Sequence, residues 1–224
     1  MDKQTRTLTI TSNITFYGSS ASLALATQTA NDIQTKWNAA GGKVSIGGTE
    51  YNVLFSVTGE YKPGLTPAEV AKNTDIKQNF VRVEETAAGN ISSYDFAGNS
   101  GYFLLSNIQG AGTTTEAHEY GHGLGLVPGT EGYHPEDLDL RGEGQPGIMY
   151  PRGTLVDAPY TYSPAKGAST VDPNTGRGVN TLSPEKRKVT QSDINMLGLD
   201  KLKFDNTGKA NLGRITNTYK QKKP

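Results

Sequence analysis

Thr113-Thr114-Thr115-Glu116-Ala117-His118-Glu119-Tyr120-Gly121-His122-Gly123-Leu124-Gly125 is the stretch around which the rest of the chain is read. Its hydroxyl residues and early acid make a helix entry, and Gly125 stops the helix after Leu124. His118 and His122 are four apart, so they leave one helix face a single turn from each other. Imidazoles so placed can grip one Zn²⁺ at about 2.0–2.1 Å, with Glu119 beside them to hold a metal-bound water. Zinc lowers the pKa of such a water towards about 7, and a carboxylate can take its proton and pass it to a leaving amine. An ordinary surface helix could show the same residues, but two of the chain's three histidines fall here. Gly121 and Gly123 each cost about 1 kcal/mol relative to Ala in a helix. Close backbone approach beside a metal explains them, and so does close core packing.

Outward from this segment, residues 7–16 (TLTITSNITF) alternate apolar and polar side chains and predict a strand. Leu23, Ala26, Ala30, Ile33 and Trp37 then recur at steps of three and four, one face of a helix that Gly41-Gly42 ends. Residues 51–59 and 80–84 predict further strands, and the apolar run 102–108 (YFLLSNI) another. From 127 to 182 the chain is rich in Gly, Pro, Asp and Thr, a long irregular stretch of the kind kept for function. Residues 190–199 predict a last helix capped by Thr190 or Ser192, and Lys220, Lys222 and Lys223 a solvated, frayed tail. Without repeats or a linker, residues 1–224 are expected to form one domain, with subdomains of about 1–126 and about 127–224.

Composition narrows the function classes. The chain's 22 basic and 22 acidic residues cancel, so no overall field points to nucleic acid or an anionic membrane. The absence of cysteine excludes disulfides, thiolate catalysis and Cys-rich zinc sites. No apolar run approaches the roughly 20 residues of a membrane helix. A mean hydropathy of −0.54 fits a loop-rich soluble domain. The polar residues 1–6 lack the apolar core of a secretion signal, so the chain either stays where it is made or is a segment of a longer one.

His118-Glu119-x-x-His122-x-x-Gly125, followed downstream by Gly147-Ile148-Met149-Tyr150-Pro151, resembles the signature and Met-turn of the metzincins, a clan of zinc endopeptidases. The resemblance implies an α+β fold. A twisted mixed sheet, a long helix and the active-site helix would be followed by an irregular C-terminal subdomain ending in a helix. It implies Zn²⁺ as cofactor, His118 and His122 as ligands, Glu119 as catalytic base and Met149 beneath the metal. Where the family has its third histidine this chain has Pro128, so His134 is the expected third ligand, with Glu131, Glu136 and Asp137 as rivals. Family likeness makes the 102–108 strand a cleft edge that pairs with substrate, which points to Tyr102, Phe103 and Leu104. It also makes residues 151–170 the specificity wall, and Tyr160 and Tyr162 donors to the oxyanion.

The expected partner is a protein or peptide substrate. In general organisation the chain also resembles metallopeptidase toxin modules of bacterial Rhs-type polymorphic toxins. That likeness implies secretion or delivery into a target cell and a cognate immunity protein. A zinc-stabilised binding module without turnover, or a hydrolase of non-peptide amides, is the competing expectation. The short turn 172–176 lacks the alternating acids of a calcium loop.

Overall fold

The computed structural model describes residues 1–110, 112–125, 135, 137–162 and 180–224. Its framework is a six-stranded mixed sheet in the order β2-β3-β1-β4-β6-β5. The strands are β1 (Thr7–Tyr17), β2 (Lys43–Ile46), β3 (Thr49–Tyr61), β4 (Gln78–Glu84), β5 (Ser93–Tyr94) and β6 (Ser100–Leu104). The four central strands run parallel, and β2 and β5 close the two sides antiparallel.

Between β1 and β3 the chain crosses over as α1 (Leu23–Asn38), whose Ser22 hydroxyl accepts from the Leu25 N–H. Ala26, Ala30, Ile33 and Trp37 are buried at the spacing read from sequence, whereas Leu23, in the first turn, is 63% exposed. Past the end of β2, the open edge of β3 is met by α1. Asn38 bonds both the N–H and the C=O of Phe55 (2.8 and 2.9 Å), and Gln34 accepts from Val57 N (3.0 Å). Polar residues of the helix thus satisfy a sheet edge that would otherwise stand unpaired.

Two short helices, α2 (Pro67–Ala71) and α3 (Leu105–Ile108), precede the central helix α4 (Thr115–Leu124), and α5 (Gln191–Met196) follows late in the chain. The run expected to be one strand over 102–108 divides at Leu104, where β6 gives way to α3. Nor is β6 an edge. It pairs with β4 on one side and β5 on the other, and Tyr102, Phe103 and Leu104 are fully buried. The outer edge belongs to β5, and the expectation that those three side chains face a substrate is corrected accordingly. Sequence could not reveal this, because β5 is only two residues long and carries no periodic signal.

The C-terminal tail is also not frayed, and the chain does not end at its last helix. Arg214 N donates to Ala97 O (2.6 Å), and Thr216 N and Asn217 N both donate to the Asn99 side chain (2.9 and 2.8 Å). Thr218 N reaches Ser100 Oγ (2.9 Å), and Lys220 N reaches the Tyr17 hydroxyl (2.8 Å). Tyr219 stacks on Tyr17, with centroids 5.1 Å apart, and Lys223 lies over the Tyr102 ring. Among the described residues no helix is long and apolar enough to cross a membrane.

Candidate metal and catalytic site

Helix α4 is buried nearly throughout, including Glu116, His118, Glu119 and His122. Tertiary contacts hold it in place of local ones. The Thr114 hydroxyl does not cap the helix but donates to Pro184 O and receives the guanidinium of Arg187 (3.0 Å). Trp37 Nε1 donates to Ala117 O (3.1 Å), Tyr120 and Ser12 share a hydroxyl bond (2.7 Å), and Lys36 pairs with Glu116 (2.7 Å). Core packing explains the helical glycines. A Cβ on Gly121 would come within 2.4 Å of Met149 Sδ, and one on Gly123 would run into the Tyr94 ring. Gly125 ends the helix at φ +47°, ψ −147°, a conformation suited to glycine alone.

One turn of this helix brings His118 and His122 together, Nε2 to Nε2, at 3.2 Å. The other ring nitrogen of His118, Nδ1, lies 2.8 Å from Ile148 O and 3.0 Å from Arg187 Nη1. Nδ1 can serve only one of these as a hydrogen-bond partner. With its proton donated to the carbonyl, the His118 lone pair sits on Nε2 and faces His122. Two ligands at about 2.0–2.1 Å from a tetrahedral zinc stand roughly 3.3 Å apart, so the imidazole pair fits such an ion. Among the described residues no group of three or more His, Cys, Asp or Glu side chains could hold a metal. His134, Glu131 and Glu136 lie outside the described residues, as does the turn at 172–176. Asp137 is exposed and accepts from Asp139 N (2.9 Å), while Asp139 pairs with Arg141.

The turn 147–151 lies under the helix, with Met149 buried against Gly121. Its backbone is held by a residue absent from the sequence reading. Asp193, the third residue of α5, forms a reciprocal cap with Thr190 (Thr190 N to Oδ2, 2.7 Å). The same carboxylate accepts from Ile148 N (3.2 Å) and Met149 N (3.4 Å). Arg187 was missed too. Buried at 6% exposure, it ties Thr114 at the helix entry to Tyr150 O in the turn (3.1 Å). Its local sequence, Glu185-Lys186-Arg187-Lys188, reads as a solvated charge run, so nothing local marked it. Burial lowers its pKa to about 10, with Arg152 contributing, and Tyr162 lies within electrostatic reach. Tyr160 instead packs on Leu140, Val156 and Leu182. A cavity of about 440 Å³ lies elsewhere, between β1, residues 202–214 and the Tyr120 side of α4, and none of the paired histidines or Glu119 lines it.

Burial raises the Glu119 carboxyl from its usual 4.5 to about 8, against the pull of Arg187 and Arg152. In the metal-free chain the unfolded state ionises this group near 4.5 and the folded state only near 8. Between those values the unfolded chain binds fewer protons, so this group makes stability fall as pH rises through that window and level off above it. Metal-free Glu119→Gln protein should therefore melt above the parent near pH 8.5 and converge with it near pH 4.5. A gap that stayed constant with pH would show that Glu119 titrates normally.

No family model matches the chain, and no curated protein matches it. Among solved structures it is similar to one described as "Structure of myroilysin", at 13% identity over 86% of this chain and 94% of that one. The TM-score is 0.37, and a likeness that loose carries no argument. The functional reading therefore rests on the residues themselves.

Proposed function

We propose that this chain is a zinc-dependent endopeptidase of the metzincin type, with His118 and His122 holding the metal and Glu119 as general base. The observation that carries the reading is the convergence of two buried imidazole Nε2 atoms at 3.2 Å with a buried carboxylate next in sequence. His134 completes the ligand set in this proposal. Bound zinc supplies a Lewis acid that polarises the scissile carbonyl and acidifies water. Glu119 takes the proton of the attacking water on its carboxylate and delivers it to the leaving amine. Ile148 O orients His118 through Nδ1, and a ligand imidazole so held keeps its lone pair on the metal side. Tyr162, within electrostatic reach of Arg187, is taken in this proposal as the donor to an oxyanion. The likeness to toxin modules rests on sequence organisation alone, and delivery and an immunity protein remain proposals on that ground.

Metal removal tests the reading. Purified protein should carry one zinc per chain and cleave a mixed protein substrate. Chelation should stop cleavage, readdition should restore it, and the fold should survive in between. Loss of the fold on chelation, with no cleavage of any substrate beforehand, would instead make this a zinc-stabilised binding module. A chain that takes up no zinc would sink the proposal outright.

A further inference from the structure

Strand β1 is longer than the neighbour on one of its sides. It pairs with β3 over residues 7–16 but with β4 only over residues 13–17. Asn52 N donates to Arg6 O, so the even-numbered residues along β1 bond β3 and the odd-numbered ones turn their backbone groups the other way. On that side Thr7 N meets Asp2 O (3.0 Å), and Asn13 N meets Lys77 O (2.8 Å). Between these two closures stand Thr9 and Thr11. Among the described residues their N–H and C=O groups have no partner there.

The cavity of about 440 Å³ opens at this edge. Residues 8–12 all line it, and consecutive residues of a strand point to opposite faces, so the cavity runs along the strand's edge. Leu202, Phe204 and Leu212 stand across from them, and Leu124 of α4 adds to the apolar wall. Ser12 and Tyr120, both buried, also line it and share one hydroxyl bond (2.7 Å). Two hydroxyls carry two hydrogens and that bond uses one, which leaves an O–H to donate to an incoming acceptor.

The charged side chains of the lining belong to Lys77, Lys209 and Arg214, with no carboxylate among them. Neighbouring acids serve their own loops. Asp75 accepts from Lys77 N (3.0 Å) and stands 3.8 Å from Lys77 Nζ, while Asp205 accepts from Thr207 N and Lys209 N (2.8 and 3.0 Å). Lys209 and Arg214 are exposed and form no ion pair among the described residues.

We propose that the open edge of β1 is a docking slot for an extended acidic segment of a partner protein, which adds as a strand beside Thr9 and Thr11. Main-chain bonds to an open sheet edge give such binding its affinity. The three cations select carboxylate side chains on the incoming strand, and the cavity falls within the size range of ligand sites, about 300–1,000 Å³. This goes beyond the peptidase reading and does not rest on it, since neither paired histidine nor Glu119 lines the cavity.

The test uses fluorescein-labelled, end-blocked hexapeptides on Glu119→Gln protein, which lacks the proposed base. One probe alternates Glu with Val and a second alternates Lys with Val. Two more are the Glu-Val probe N-methylated at every Glu or at every Val. In fluorescence anisotropy the Glu-Val probe should bind saturably and about 10-fold tighter than the Lys-Val probe. One N-methylated probe should lose about 10-fold and the other bind like the parent, because only alternate N–H groups of a strand face the edge. Lys209→Glu with Arg214→Glu should erase or reverse the preference for Glu-Val. Amide hydrogen exchange reads the place: the Glu-Val probe should slow Thr9 and Thr11, and leave Leu8 and Ile10, already bonded to β3, unchanged. Equal binding of both charge types, indifference to N-methylation, protection elsewhere, or no saturable binding overturns the proposal. Protection of Thr9 and Thr11 that rises with protein concentration alone also overturns it, by making the occupant a second copy of the chain.

Discussion

Glu119→Ala should lower peptide hydrolysis by about 10²–10⁴-fold, the range typical of a lost general acid–base group, while zinc content stays unchanged. The two outcomes separate because the imidazoles and the carboxylate have different supports. His118 is oriented by Ile148 O through Nδ1, and its Nε2 meets that of His122; neither contact involves Glu119. Glu119 contributes a buried carboxyl whose pKa, raised by desolvation, lies within reach of neutral pH. A dication held by His118 and His122 would favour its ionised form and draw that pKa down, towards the value a base needs near pH 7. Metal analysis and single-substrate kinetics on the same preparation make the check. Retained hydrolysis in Glu119→Ala would move the base elsewhere. Loss of zinc with the substitution would make Glu119 a ligand.

Asp193→Ala should be the most damaging substitution away from the helix, costing about 3–5 kcal/mol of stability. The Asp193 carboxylate is 2% exposed and accepts from Thr190 N, Thr190 Oγ1, Ile148 N and Met149 N. Removing it takes away the cap of α5 and strands buried N–H donors, each left unsatisfied at a cost of about 1–3 kcal/mol. For a chain of this size the melting temperature should fall by about 8–15 °C. The effect reaches the site, because Ile148 supplies the carbonyl that orients His118 and Met149 packs under Gly121. Loss of such an outer partner typically weakens metal affinity by about 10–100-fold. Thermal denaturation with a competitive zinc titration would measure both. Asp193→Asn keeps one acceptor oxygen and should retain part of the stability. A variant as stable as the parent would show that the turn holds itself.

Local order was legible wherever side chains repeat along one element. The face of α1, the strand β1 and the extent of α4 all came from spacing that each segment carries within itself, and of the two caps offered for α5, Thr190 and Ser192, the structure uses Thr190. Three readings failed where the deciding partner is distant in sequence. The run 102–108 splits because Leu104 and Asn107 both meet Ser92 Oγ as the strand turns into α3. The tail reads as lysine-rich and solvated until Asn99, Ser100, Tyr17 and Tyr102 appear beneath it. Thr114 looks like a cap until Arg187 and Pro184 claim its hydroxyl.

What the sequence determined by itself is the chemistry of one helix: two imidazoles and a carboxylate at a spacing that puts both rings on one face, since 3.6 residues per turn is a property of any α-helix. Tertiary structure alone decided what surrounds that helix. It buried Glu119, set Arg187 between the entry of that helix and the Met149 turn, and fixed the turn on Asp193 of α5. It also gave the sheet edge to β5 instead of β6. Periodicity reports which way a side chain leaves its own backbone, but burial, charge pairing and strand order depend on which distant segments come to lie beside it.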